Sequence, residues 1–428
     1  MSRRGFLQIS ALAASAGALA ACGGGSSSSG SGSGNAFVFA NWGDSFGPIY
    51  DQAIADYERL KSVKVAKQAS VPYDDYQTRF RTLIAGGSPP DVMRLNDDFL
   101  REMADKKQIL DLSGRIKSSG VSPGDYFQSA FDFPQRPNGH LGYTIGTSPR
   151  VIYYNKTLFE KAGVPLPPTT WTRENWEWDD FLAAAKATTK APDVWGALLT
   201  YDGGFENIWS VNNGGPGIFS ADGRTFTLAD HEGAEAMQWV SDLATRHRVA
   251  PPWAEVQRDF DTAMRMFAAG KVAMVQGPFA LVGNFRKSVS NFEWDVAPIP
   301  ARVNQKQEGS IALFVIPSKA KNPDAAWDFL HYLGGEEGGR FFARNGVLVP
   351  VHRAAADELT ADKKSPQHIS LFAEAAEHHA SINSTVATAQ AQEIYRPQLE
   401  RVYAGEMSAQ EALNGVRGQI EALLAKGS

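Results

Sequence analysis

The chain holds one cysteine, Cys22, in 428 residues. A single thiol cannot form a disulfide within the chain, so packing must hold the fold together. Histidine is scarce as well. The eight are scattered apart from His378 and His379, which fall in a stretch that reads as a solvated helix, and no metal site is expected. Neither sign of charge dominates: 42 Lys and Arg face 47 Asp and Glu, a formal net charge of −5. That excludes the basic footprint of a nucleic-acid binder. The apolar run at 9–21 is too short for a mature membrane-spanning helix, and no other segment is apolar enough. H-E-x-x-H, P-loop and nucleophile-elbow patterns are missing. Ser318-x-x-Lys321 lacks an accompanying Ser-Asp-Asn or Lys-Thr-Gly. The carboxylates Asp97 and Asp98, like Glu336 and Glu337, are adjacent in sequence. Adjacent side chains rarely face one site, which makes them poor acid/base partners. Neither a catalytic residue nor a cofactor is implied, and the acid/base signal for an extracellular carbohydrate-active enzyme is weak.

What is present is informative from the first residues. Ser2-Arg3-Arg4-Gly5-Phe6-Leu7 resembles a twin-arginine export signal, and Leu19-Ala20-Ala21-Cys22 resembles a bacterial lipobox. The expectation is a signal peptide over 1–21 and a lipid on the Cys22 thiol. Residues 23–34 are only Gly and Ser, a flexible coil with a reach of roughly 17–21 Å. With the anchor, 22–35 reads as a tether that holds an exported protein at the membrane, in a periplasm or on the outer face of the cytoplasmic membrane. The chain is longer than one ordinary domain, so two lobes are the natural prior. Its 10 Trp, 12 Tyr and 24 Phe serve the core first, but aromatic faces also cover the apolar faces of sugars.

From residue 35 onward, strand and helix patterns alternate, which argues for an α/β lobe with a mostly parallel sheet. Ligands gather beyond the carboxyl ends of such strands. Trp42 and Asp44 follow the first strand, and Asn96 and Asp97 follow the strand at 91–95. The stretch 139–163 reads differently. A strand at 141–145 ends in a turn, Thr147-Ser148-Pro149, and a second strand at 151–154 follows at once. Asn155 then caps a helix that stops at Gly163. Two strands without an intervening helix suggest a crossing between lobes, with return crossings at 309–316 and 346–350. Residues 201–209 and 212–215 are polar and aromatic, and read as a loop that could form a binding wall. The last helix opens with a capping box, Ser408-x-x-Glu411.

Four segments, in order, resemble motifs of the bacterial extracellular solute-binding proteins of family 1, the sugar receptors of ABC importers that include maltose-binding protein. Leu83-Ile84-Ala85-Gly86-Gly87-Ser88-Pro89-Pro90-Asp91-Val92 is similar to A-G-x-x-P-D-V. Tyr153-Tyr154-Asn155-Lys156-Thr157-Leu158-Phe159 through Ala162-Gly163 is similar to Y-Y-N-K-x-L-F-x-x-A-G. Residues 267–274 resemble F-x-x-G-x-x-A-M, and 322–330 resemble N-P-x-x-A-W-x-F-L. The resemblance implies a two-lobed periplasmic-binding-protein-like α/β fold of type II. The implied lobes are 36–147 with 312–347, and 148–311 with 348–428, with a ligand cleft between them. It also implies a monomer that binds a carbohydrate and meets ABC permease subunits. Gly277-Pro278-Phe279 resembles a G-P-W segment whose aromatic stacks on ligand, with Phe in place of Trp. Asn96 and Asp97 stand where amide and acidic groups hold sugar hydroxyls. Gly309, Ser310 and Arg344 match places that bind hydroxyls or a phosphate in some members. Trp209, Asn212 and Asn213 are implied on the opposite lobe, with Tyr73 as a further contact. Arg344 leaves a glycerol-3-phosphate or glycerophosphodiester receptor as the alternative.

Overall fold

The structure, a computed structural model, describes residues 36–43, 47–71, 73–95, 97–199, 204–256, 260–361, 365–385 and 387–426. Its axis is one strand, Tyr143–Asn155, all thirteen residues of which are buried. In chain order the strands are β1 (Phe37–Ala40), β2 (Val65–Lys67), β3 (Val92–Leu95), β4 (Gln135–Arg136), β5 (Gly139–His140), β6 (Tyr143–Asn155), β7 (Trp195–Leu198), β8 (Val272–Pro278), β9 (Trp294–Ala297), β10 (Gly309–Val315) and β11 (Val349–Pro350). Nine of them form one sheet in the order β2-β1-β3-β10-β6-β8-β7, with β9 and β11 also on β6.

The expected turn at Thr147-Ser148-Pro149 does not occur. β6 runs straight through it because each part of it has a partner. β10 pairs antiparallel with residues 143–149, from Phe314 opposite Tyr143 to Gly309 opposite Pro149. β8 takes over from Arg150, which faces Pro278, to Tyr154, which faces Met274. A turn would have left these buried amides unpaired. The crossing is therefore one continuous strand, and Pro149 sits where one partner hands over to the next. β11 lies antiparallel on Thr147 and Gly146, so three strands run side by side at this point.

Each half of the sheet has its own cores. Around β1, β3 and β10, Phe37, Phe39, Phe314 and Phe329 pack with Tyr50 and Tyr57 from α1 (Gly47–Lys61). The other face holds Tyr76 and Phe80 from α2 (Tyr73–Ala85) and Phe99 and Met103 from α3 (Asp97–Asp105). In the second half, Trp178, Trp209, Phe181 and Phe205 share a core with the C-terminal helices Thr388–Tyr403 and Ala409–Leu424. Tyr153, Phe267, Phe285 and Trp294 fill the opposite face of β8.

Local signals explain several boundaries. The Asn155 side chain accepts from Leu158 N at 3.0 Å and starts a helix that ends at Gly163. Ser408 Oγ accepts from Glu411 N at 3.2 Å. Asp91 ties β1 and β3 to the helix Pro323–Gly334. One carboxylate oxygen accepts from Val38 N at 2.8 Å, and the other from Lys321 N and Asn322 N at 2.6 and 2.8 Å. Two further readings are corrected. Residues 205–212 form a helix, Phe205–Asn212, not a loop. His378 and His379 do not lie in a solvated helix: His378 stacks on Trp171 with centroids 4.8 Å apart, and both His379 ring nitrogens are buried. No helix among the described residues is long and apolar enough to cross a membrane.

Candidate functional site

The sheet topology places the site. β10 is antiparallel to β3, with Leu313 opposite Leu95. The direction beyond the carboxyl ends of β3 and its parallel neighbour β1 is therefore the direction of Gly309 and Glu308. In the other half β8 ends beside Arg150, and β7 runs parallel to β8. The carboxyl ends of β1, β3, β7 and β8 thus converge on the middle of β6 from two sides. Ligands in α/β proteins bind at such ends.

On the first side, Asn41 and Trp42 follow β1, and Arg94 projects from β3. The Arg94 guanidinium lies 3.9 Å from the centre of the Trp42 ring and donates to Asn41 Oδ1 at 3.4 Å. Tyr76 meets Trp42 edge-on at 5.2 Å and donates through its hydroxyl to the Arg94 carbonyl at 2.9 Å. Burial holds that hydroxyl well above the usual tyrosine range, so it remains a donor. Trp42 is thereby fixed with a rim of 9% exposed. Fixed aromatic rings cost little entropy on binding.

The floor is polar. Arg150 Nε pairs with Glu308 Oε1 at 3.2 Å, both side chains about one-tenth exposed. Arg150 N donates to Gln307 Oε1 at 3.0 Å, and Gln307 Nε2 donates to Ala375 O. Ser148 Oγ accepts from Ala280 N at 3.1 Å. From the second side Gly204, at a φ of 69°, packs on Glu308; a Cβ there would fall 2.7 Å from Glu308 Cγ. Just beyond, the buried Glu206 pairs with the partly exposed Arg396 at 3.3 Å. A buried, paired network of this kind can present fixed charge to a polar ligand without rearranging.

The sequence-derived residues separate into groups. Trp42, Gly309 and Ser310 lie where the strand ends converge, with Ser310 exposed and paired with Ser148. Asp97 opens α3 at the carboxyl side of β3, and Tyr73 opens α2, but their side chains are outside the described residues, as are Asp44 and Asn96. Gly277 sits in the ladder opposite Val151. The others are engaged in structure. Trp209 is packed in the core, edge-on to Trp178 and tilted against Trp239. Phe279 is fully buried, edge-on to Phe372. Asn212 exchanges two bonds with the backbone of Lys306, and Asn213 donates to Glu232 O and Glu235 Oε2. Arg344 ends the helix Glu336–Arg344 with its side chain 59% exposed, 3.9 Å from Glu358.

Sequence reading missed Arg94, Glu308, Glu206 and Arg396. One signal was available: Arg94 is a charge inside the otherwise apolar run Val92-Met93-Arg94-Leu95, and buried charges are rare unless partnered. Among the described residues no cluster of three or more His, Cys, Asp or Glu could hold a metal ion.

Comparison with known proteins adds the following. A family model described as bacterial extracellular solute-binding protein matches residues 13–340. An arabinooligosaccharide-binding protein of Halalkalibacterium halodurans is 22% identical over 216 residues, 48% of this chain and 46% of that one. An ABC substrate-binding protein of Listeria monocytogenes, solved in complex with cycloalternan, superposes with a TM-score of 0.76 at 23% identity, over 91% of this chain and 98% of the other. Maltose-bound MalE3 of T. maritima gives a TM-score of 0.73 at 16% identity, over 90% and 99%. The fold is therefore the α/β fold of periplasmic binding proteins.

Proposed function

The chain belongs to the bacterial extracellular solute-binding proteins, a family of non-enzymatic receptors, and on that footing we propose that it is the receptor of an ABC importer for a carbohydrate. The observation that carries this reading is the convergence of four strand ends from two halves on one space. An aromatic ring fixed by Arg94 stands on one side of that space, and a charged floor at Arg150 and Glu308 lies beneath it. A sugar has an apolar C–H face for such a ring and hydroxyls for the polar groups. The cycloalternan complex of the Listeria protein and the name of the Halalkalibacterium relative support a saccharide over other solutes.

In this reading residues 36–147 with 312–347 form one lobe and 148–311 with 348–428 the other. They bend about β6, β10 and β11 near residues 146–150. Ligand held by both lobes favours the closed form by its extra affinity for that form. Trp42, Asp44, Asn96, Asp97 and Ser310 are the proposed contacts. A lipid on Cys22 holds the receptor at the membrane beside its permease. The structure holds Arg344 at an exposed helix end, which favours a sugar over a glycerol phosphate.

Intrinsic tryptophan fluorescence, titrated with a panel of mono- and oligosaccharides and glycerol phosphates, tests the proposal. Saturable binding of a saccharide at micromolar concentration is expected. Silence toward every saccharide, confirmed by calorimetry, would sink it, and a response to the phosphates alone would replace it with a phosphate receptor.

A further inference from the structure

We infer that ligand binding is coupled to pH through His379, because closure of the two halves seals its unpartnered imidazole between them. The inference rests on the carbohydrate-receptor reading above. His379 lies in the segment 377–385, which joins the helices Leu371–Ala376 and Thr388–Tyr403. That segment rides on the second half. Ala380 and Ile382 pack on the core that holds Trp178 and Trp209. Ser381 O accepts from Asn207 Nδ2 at 3.4 Å, and Asn383 Nδ2 donates to Pro216 O and Phe219 O at 3.3 and 3.1 Å. The segment also joins the floor of the site. Gln307 N donates to His378 O at 3.0 Å and Ala380 N to Gln307 O at 2.9 Å, which sets His379 beside Gln307. Gln307 in turn holds Arg150 N.

The first half grips the same stretch at three points. Ser129 Oγ donates to Ala376 O at 2.8 Å, and Arg101 Nη1 donates to Ser384 O at 2.9 Å. Between them the Phe133 ring meets the His379 ring edge-on, with centroids 6.3 Å apart. Phe133 packs on the core of Tyr76 and Phe99, so it moves with the first half. Among the described residues neither ring nitrogen of His379 has a hydrogen-bond partner, and both are buried. A protonated imidazole carries two N–H donors. Left unpartnered out of water they are costly, so the closed arrangement excludes the extra proton. The charged groups on the surrounding elements are Lys306, Glu308, Arg101, Asp105, Arg136 and Glu377. Of these Lys306 acts on the imidazole, and it repels a proton. Burial first and Lys306 second push His379 down to about 4. Opening withdraws Phe133 but leaves Gln307 and Lys306 in place. The open form therefore takes its proton at a pH between about 4 and the ordinary value near 6.5. Closure expels that proton. By linkage, affinity is full above about pH 6.5 and falls as the pH drops toward 4.

Calorimetry on the full-length receptor tests this, with maltotriose first and otherwise the saccharide that saturates in the fluorescence panel. Between pH 7 and pH 5 the wild-type Kd should rise about threefold or more, and at most about thirtyfold, beyond the rise in His379→Gln. Other groups that titrate in the site cancel in that comparison. At pH 5, titrations in two buffers of different ionisation heat should show about half a proton more released by wild type than by the variant. Phe133→Ala keeps the imidazole but uncovers it, and should lose most of the same excess. A pH dependence and proton release that are equal in wild type and both variants overturn the proposal and leave the receptor reading intact. Failure of every saccharide to bind overturns both.

Discussion

At the scale of single residues, Asp91 and His379 make opposite cases. Asp91 is the acid of the Pro-Asp-Val motif, and its role is structural. It is 2% exposed and accepts from three backbone amides that belong to different elements. Asp91→Ala strands all three donors and should cost about 3 kcal/mol, read as a lower urea midpoint with an unchanged slope. His379 gave no sequence signal, because burial depends on a tertiary neighbour, Phe133, far along the chain. Burial, with a smaller contribution from Lys306, pushes its imidazole down to about 4. An unfolded histidine takes its proton near pH 6.5, so the unfolded state binds the extra proton first. Stability is therefore full above about pH 6.5 and falls as the pH drops toward 4. The loss is about 3 kcal/mol at most. Urea melts at pH 7 and pH 4.5 should show the fall, and His379→Gln should flatten it. An unchanged slope in that variant would remove His379 as its source.

At the scale of elements, legibility followed local physics. The helix after Asn155 could be read because its cap and its stop are local, and the strand at Trp195–Leu198 because its apolar run is short and bounded. The helix Phe205–Asn212 could not. Phe205, Glu206, Asn207, Ile208, Trp209, Ser210 and Asn212 are all buried, and a helix buried on every face has no polar stripe to set a period. For the same reason Trp209, Asn212 and Asn213 read as a binding wall while their groups serve the interior. β6 was misread because Pro149 is a local breaker whose cost is offset by partners from far in sequence. Its neighbour Gly309 allows the close approach. A Cβ at 309 would lie 2.5 Å from Ser148 O. Gly309→Ala should force β10 off β6 and cost about 2 kcal/mol, seen in thermal melts, with saccharide affinity falling as the floor shifts. A fully stable, fully binding variant would show that the two strands can part without consequence.

At the scale of the whole molecule, the strand–helix rhythm made the α/β class legible, while the joining of the halves was only partly so. The halves hold separate cores, which by itself predicts two unfolding steps. They also share β6, and removing either half strips that strand of the partners that satisfy its amides. The shared strand should prevail. Ligand-free protein should unfold in one transition, with calorimetric and van't Hoff enthalpies equal. A ligand held by both halves adds to this coupling without creating it. At a saccharide concentration of 100 times Kd the folded state gains about 2.7 kcal/mol, which raises the Tm by about 3 °C for a chain of this size. Differential scanning calorimetry with and without saccharide separates the possibilities. Two transitions that merge only when ligand is present would mean that the sugar, and not β6, makes the halves one cooperative unit.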